Sequence, residues 1–334
     1  MTDKAFPDCI DNTIRTAAAI CLTQAKYAYT EDLSAPGDSV HLHFGGAVAA
    51  GLEETRRAYH DGGFPPFEAV AMGAARAEEY YGDFEPPFKS PKTRDAAGKA
   101  IVYYFHTWPI DTDPVQPTRD SKGELRVEWR FKVPIPDLVH PDHGGPIYLV
   151  GRSDMIPTLQ GMVIIEDDKT AGQLGASWVE QWTMDSQPTT YIWAAQQEGI
   201  LVPTETGTAL FRGVGIYTPK YIKPGTDTPV KGAKAEDIES GKVIYSLEHS
   251  FGHSQAIIYR TPWMVARWLD QLKIDVDRLI YAYMNDQWTL ALHKSACAAY
   301  GKPCPFVPLC SSEHPEQWKA VNFVKRKWNP LETV

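Results

Sequence analysis

No run in the sequence approaches the roughly 20 apolar residues that a membrane-spanning helix needs. The longest candidate, Ala17 to Leu22, is short and bounded by polar residues. Residues Met1 to Ile10 hold two aspartates and one lysine and no apolar segment, so a secretory leader is not expected and a cytoplasmic protein is. Positive charge is also scarce. Lysine and arginine number 33 against 42 acids, a net charge of −9, so charge alone does not point to nucleic acid. If nucleic acid binds, local clusters must carry the phosphates: Arg56 with Arg57, the Lys220 to Lys234 stretch, and Lys325 to Lys327. Each reads equally well as a solvated face. Cysteine is sparse and odd in number, and five without a leader exclude a disulfide framework. Repeats and low-complexity blocks are absent, and 43% hydrophobic with 22% charged residues is ordinary globular composition.

The apolar periodicity predicts helices over residues 11–29, about 46–59 (with Val48, Leu52 and Ala58 buried) and 66–81. Residues 83–97, with Gly, Pro, Lys and Asp, read as an exposed loop. Strand patterns follow at 124–133, 146–156 and 161–169. A helical region over about 177–198 is expected to kink or restart at Pro188. Strands at 210–217 and 250–260 precede a helix over 262–284 that carries Trp263, Val265, Trp268 and Leu269. Three strands joined by short connections form a meander, and the helix then crosses to a further strand. The expectation is a mixed α/β sheet, not a doubly wound one.

The string Met162-Val163-Ile164-Ile165-Glu166-Asp167-Asp168-Lys169-Thr170 is the most informative segment. Three acids at the end of a buried strand are costly to desolvate without a purpose. Period-two geometry puts Asp167 and Lys169 on one face and Glu166 and Asp168 on the other. An acid facing a lysine can hold a hard divalent cation through oxygen, with the lysine orienting or deprotonating a water. The plain alternative is a polar turn after a strand. Asp154, one strand earlier in Gly151-Arg152-Ser153-Asp154, can stand beside Asp167, and Gly151 would permit close approach. Gln187 and Tyr191, four apart on a helix, share a face. Gly45-Gly46-Ala47 opens a helix that brings Glu53, another oxygen ligand. Glu128 reads as a further acid of the site or as an exposed strand glutamate. Glu166 competes with Asp167 as the catalytic acid, and Asp167 is preferred because it shares a face with Lys169.

Three of the five cysteines, Cys297, Cys304 and Cys310, fall within fourteen residues, in a segment stiffened by Gly301, Pro303, Pro305 and Pro308. The paired Cys-x₂-Cys knuckles of structural zinc ribbons are missing. Thiolate-only ligation completed by a fourth cysteine suits a [4Fe–4S] cluster. Cys21 and Cys9 are the candidates for the fourth, and unligated buried thiols are the plain alternative.

The set Gly151-x-x-Asp154, Asp167-x-Lys169-Thr170 and Gln187-x-x-x-Tyr191 resembles the nuclease module of the PD-(D/E)XK superfamily, shared by RecB, AddB and CRISPR-associated RecB-like exonucleases. The resemblance runs from about residue 11 to 312. It implies one nuclease domain over 1–334, with a restriction-endonuclease-like core at about 45–220. A [4Fe–4S] region would span 9–30 plus 285–312, joining N- and C-terminal helical segments. It further implies Mg²⁺ or Mn²⁺ held by Glu53, Asp154, Asp167 and the backbone carbonyl of Asp168, with Lys169 catalytic and Gln187, Tyr191 and Glu128 contacting DNA or supporting the site. The iron–sulfur layout of AddB places one cysteine before the core, where Cys21 fits, and three after it. Family members carry a metal-binding histidine in His-x-x-Leu-Glu; here that segment is Ala49-Ala50-Gly51-Leu52-Glu53, and the histidine position is Ala49. The stretch from Arg260-Thr261-Pro262-Trp263 to Cys310 is most similar to phage-encoded members. That implies exonuclease action on single strands or DNA ends in recombination, replication or repair, in a bacterium or phage-infected host, with a possible recombination or replication partner. The competing expectations are a catalytically silent iron–sulfur DNA-binding or scaffold protein, favoured by Ala49, and a zinc-stabilised interaction protein, favoured by the cysteines alone.

Overall fold

The computed structural model describes residues 5–37, 39–299, 302–329 and 331. The chain opens with strand β1 (Cys9–Ile10), helices α1 (Asn12–Ile20) and α2 (Leu22–Ala25), a π-helical turn over Lys26–Thr30, and strand β2 (Leu33–Ser34). Three helices follow: α3 (Val40–His60), α4 (Pro66–Tyr81) and α5 (Arg94–Thr107). Next come β3 (Gln116–Pro117), β4 (Val127–Val139), β5 (Pro146–Met155), β6 (Pro157–Leu159), β7 (Met162–Val163) and β8 (Ile165–Ala171). Helices α6 (Ala176–Glu180) and α7 (Ser186–Gln197) lead to β9 (Gly207–Ile216). A small sheet of β10 (Tyr221–Ile222), β11 (Pro229–Val230) and β12 (Ile244–Tyr245) brackets α8 (Ala235–Glu239). The chain then forms α9 (Leu247–Ser250), β13 (Phe251–Arg260) and α10 (Pro262–Asn285). It ends in α11 (Lys294–Cys297), α12 (Val307–Cys310), α13 (Pro315–Asn322) and β14 (Val324–Lys325).

The central sheet is mixed. β4 and β5 pair antiparallel over most of their length, β5 meets β8 antiparallel at Met155↔Glu166, β8 runs parallel to β9, and β13 closes the sheet antiparallel to β9. The meander and the helical crossover to a parallel strand are both present. Every residue of β9 is buried, as a strand covered on both faces requires. On one face α3 and α5 pack Phe44, Val48, Leu52, Ile101 and Tyr104 against Val214, Ile216 and Phe251. On the other, α1, α7 and α10 bury Ile14, Ile192, Trp193, Trp268 and Leu272 against Phe131, Leu149, Ile165 and Phe211.

Several expectations need correction. Residues 94–107 form α5, where a loop was expected up to 97. Thr93 caps it by accepting from the Ala96 amide at 3.2 Å, and the Pro-rich approach hid that start. α3 begins at Val40, so Gly45 and Gly46 lie inside it. A Cβ at Gly46 would stand 2.8 Å from the Tyr80 hydroxyl, a packing reason for glycine. The same holds for Gly151, where a Cβ would meet the Phe131 ring at 2.5 Å; tight packing, not substrate approach, accounts for it. Cys9, the alternative fourth ligand, lies in β1, paired parallel to β5 at Tyr148. The Pro188 expectation holds: the helix restarts at Ser186, and proline falls in its first turn, where no amide partner is needed. Trp263 is 68% exposed, although Val265 and Trp268 on the same helix are buried.

Candidate active site

The acids that the sequence placed at the end of a strand lie in the first half of β8, which runs on to Ala171, and its two faces separate them as the pleat dictates. On the α7 side, Lys169 Nζ sits against Asp167 Oδ2, and the Tyr191 hydroxyl donates to Asp167 Oδ1 at 3.2 Å. Gln187 Nε2 in turn donates to the Tyr191 hydroxyl at 2.7 Å. Asp185 fixes the start of α7 by accepting from the Gln187 amide at 2.7 Å, which sets the helix rotation that aims both side chains at Asp167. Asp154 arrives on β5, where its carboxylate accepts from the Asp168 amide. Val127↔Met155 and Trp129↔Ser153 pair across β4 and β5, so Glu128 stands opposite Asp154. Glu128 takes a left-handed backbone, φ 56°, inside a strand, and its carboxylate pairs with Arg152 Nε at 2.8 Å. Sparse conformations of this kind persist where the surroundings enforce them.

The electrostatics are those of crowded acids. Burial, then the charges of Asp167, Asp168 and Glu128, hold Asp154 well above the usual carboxylate range. Burial raises Asp167 too, against the opposing pull of Lys169. Burial and the neighbouring acid Glu53 push Glu128 up to about 7, although Arg152 pulls it down. Burial works against the Lys169 ammonium, and the carboxylates of Asp167, Asp154 and Asp168 more than reverse that, so its pKa is raised. In this arrangement Lys169 holds its proton and pairs with Asp167.

On the opposite face of β8, Glu166 and Asp168 enter a buried ionic network that the sequence did not disclose. Arg56 Nη2 donates to Asp168 Oδ2 at 2.8 Å and to Glu166 Oε1 at 3.3 Å, and the Tyr104 hydroxyl lies 2.7 Å from Asp168 Oδ1 and 3.1 Å from Glu166 Oε1. Arg212 lies 3.5 Å from Glu166 and pairs bidentately with Asp113. Arg56 is therefore not a surface contact for phosphate, as its position in a basic pair implied; it is 4% exposed and holds the back of the strand. Arg212, a charge within the apolar run of β9, was the legible signal for this network. Lys325, in another basic cluster, donates to the Glu31 carbonyl at 2.6 Å.

Glu53 lies one step further out. It accepts from Arg57 Nε at 2.8 Å and lines a cavity of about 210 Å³ with Ala49, Glu128 and Arg152. Ala49 thus lines the same open space as three acids, Glu53, Glu54 and Glu128.

The thiols separate into two places. Burial raises the Cys9 thiol, and its charged neighbours are Lys132 and Asp8. Burial pushes Cys310 up to about 11, with Cys21, Cys304 and Cys297 adding to the shift. Burial likewise raises Cys304, which also feels Cys21 and Cys297. The Cys304 amide donates to the Cys297 carbonyl at 2.8 Å, and Cys304 packs on Tyr27, Leu33, Phe306 and Leu309. Among the described residues no three of these sulfurs lie within 4.8 Å of one another.

Asp8, His140 and His143 do bring their ligand atoms that close. Both Nε2 atoms stand 3.5 Å from Asp8 Oδ1, but the two rings stack face to face, 3.8 Å apart and 8° from parallel. A cation shared by such rings would sit far out of both planes, where neither nitrogen has its lone pair. Each Nδ1 accepts a main-chain amide, from Asp142 at 3.2 Å and Gly145 at 3.0 Å. Neither Nε2 hydrogen-bonds Asp8, and His140 Nε2 is buried without a hydrogen-bond partner; the trio brings the segment before β1 beside the β4–β5 turn. No family model matches the chain and no curated protein matches it, so the geometry alone carries the functional reading.

Proposed function

We propose that the chain is a Mg²⁺- or Mn²⁺-dependent deoxyribonuclease of the PD-(D/E)XK type that hydrolyses phosphodiester bonds. The observation that carries this reading is the convergence of Asp154, Asp167, Lys169, Tyr191 and Gln187 from β5, β8 and α7 on one spot. The donor set fits a hard divalent cation. Burial and the charges of Asp167 and Asp168 hold Asp154 well above the usual carboxylate range, and burial raises Asp167 despite its Lys169 partner, so cation charge would relieve a standing cost. Asp154 and Asp167 would hold the ion, with the Asp168 carbonyl, while Glu53 and Glu128 border it. Bound there, the ion supplies a lowered pKa for water and countercharge for the phosphate.

The chain's own residues do the rest. Tyr191, held by Gln187, fixes the rotamer of Asp167. Lys169 keeps its ammonium beside Asp167, where it orients a water by donating to it and meets the charge that grows on the phosphate oxygens. Arg56 and Tyr104 hold β8 from behind. Action on single strands or ends, and a role in phage recombination, replication or repair, follow from the resemblance.

We propose also that Cys21, Cys297, Cys304 and Cys310 hold a [4Fe–4S] cluster. Cys304 and Cys310 each feel the charges of Cys21 and Cys297, whereas Cys9 feels Lys132 and Asp8, which supports Cys21 over Cys9 as the fourth ligand.

The test is digestion of end-labelled single- and double-stranded DNA by anaerobically purified protein with Mg²⁺, Mn²⁺ or EDTA. Cleavage that needs the metal and disappears in Asp167→Ala supports the enzyme. DNA bound without cleavage under every condition would favour the silent binding protein instead.

A further inference from the structure

A second pocket lies one residue from Gln187. Its volume is about 330 Å³, and its lining includes Arg15, Met184, Ser186, Arg260, Trp263 and Arg267. Two long helices begin there: α7 at Ser186, capped by Asp185, and α10 at Pro262, capped by Thr261. Helix N-termini present unpaired amides and the positive end of the helix dipole.

The arginines differ in what balances them. Arg15 is matched by Asp275 at 3.0 Å. Arg260, only 3% exposed, donates to neutral oxygens: Thr189 Oγ1 at 2.7 Å and the carbonyls of Trp182, Asp185 and Tyr259 at 3.0 to 3.2 Å. Arg267 lies 5.5 Å from the centre of the Trp263 ring. Among the described residues neither Arg260 nor Arg267 makes an ion pair. Asp185, which caps α7 and acts on Arg260, is the one acid in the lining; against it stand Arg260, Arg267 at the rim and two helix starts, in a chain of net charge −9.

Trp263 is 68% exposed and Met184 83%, while their neighbours Trp182, Val265 and Trp268 are buried; further along α10, Ile274, Tyr281 and Met284 are exposed as well. An indole left in water beside an unpaired arginine offers a nucleobase a stacking face and its phosphate a countercharge. The cavity is at the low end of small-ligand pockets, with room for one nucleotide and none for a duplex. Ser186 lies about 7 Å along the α7 axis from Tyr191, so a base stacked here belongs to a nucleotide near the one at Asp167.

We propose that this pocket grips a single DNA strand beside the scissile phosphate, with a base stacked on Trp263 and a phosphate on Arg267. The inference rests on the nuclease reading for its place along the strand, but its test needs no hydrolysis. Binding of a fluorescent oligothymidylate is measured by anisotropy in EDTA over a range of salt, with the full-length holoprotein. Trp263→Ala is expected to weaken binding roughly five- to hundredfold, and Trp263→Phe to restore most of it, because stacking needs only a ring face. Arg267→Ala is expected to lower the slope of log affinity against log salt by about 0.7. Trp318→Ala, which removes an exposed indole on α13, is expected to bind as wild type does. If wild type binds and Trp263→Ala and Arg267→Ala bind equally well, the pocket assignment falls and the nuclease reading stands. If wild type binds no oligothymidylate at all, the pocket assignment also falls, and cleavage of end-labelled DNA then judges the nuclease separately.

Discussion

Glu128 concentrates the chemistry of the site in one residue. It faces Asp154 across the β4–β5 pair, in a strained backbone, and burial lifts its carboxyl to about 7 from an unfolded value near 4.5. A carboxyl raised in the folded state contributes stability below pH 4.5 that is lost as the pH climbs through 7. In EDTA, Glu128→Gln is therefore expected to gain stability relative to wild type between pH 5 and pH 8. Paired urea titrations check this, and a constant difference across that range would show that Glu128 is ionised throughout. Glu166 and Asp167 are neighbours with different tasks. Glu166 lies between Arg56 and Arg212, so Glu166→Gln is expected to lower stability by roughly 1 to 3 kcal/mol and leave measurable cleavage, whereas Asp167→Asn is expected to remove cleavage and keep the fold. A dead but fully stable Glu166→Gln would exchange the two roles.

At the scale of elements, β8 is where sequence and structure agree most closely. The strand pleat alone divides Asp167 and Lys169 from Glu166 and Asp168, and the i, i+4 rule brings Gln187 and Tyr191 together on α7. Long-range partners were not legible. Arg56 is followed by Arg57 and looks like surface; only folding shows it to be buried 110 positions away from Glu166. Tyr104 was missed with its helix, because α5 starts behind a proline-rich approach and its periodicity is weak. Tyr104→Phe removes a hydroxyl that touches Arg56, Glu166 and Asp168, and is expected to cost about 1 to 3 kcal/mol in a denaturant titration. An unchanged midpoint would mean that the network does not brace β8. Ala49 is an element-scale vacancy: α3 presents it to the cavity shared with Glu53 and Glu128. Ala49→His is expected to lower the Mn²⁺ concentration that half-saturates cleavage, and identical titration curves would remove Ala49 from the account of the metal shell.

For the whole molecule, the chain's two ends are joined before any cluster is considered. β14 pairs with β2 through Val324↔Ser34, Lys319 pairs with Glu31 at 2.6 Å, and Phe306 packs on Tyr27. Cys304 packs in that same junction, so a cluster it shared with Cys21 would close a loop of nearly the whole chain. Anaerobic preparations are expected to be brown with about four irons per chain. Cys21→Ser is expected to lose the colour and much of the stability, since ligand energy at such a site is folding energy, while Cys9→Ser stays brown. Iron analysis of the two variants decides the ligand, and a colourless wild type with stoichiometric zinc would replace the cluster. The fold class was legible because periodicity carries it; the small sheets and the exposure of Trp263 were not, because they depend on what packs where. The central claim, hydrolysis at Asp154, Asp167 and Lys169, is tested most directly by the single-turnover rate at which end-labelled DNA is cut in Mn²⁺. The account expects Lys169→Ala to fall by several orders of magnitude with its DNA affinity intact, and a Lys169→Ala rate equal to wild type would contradict it.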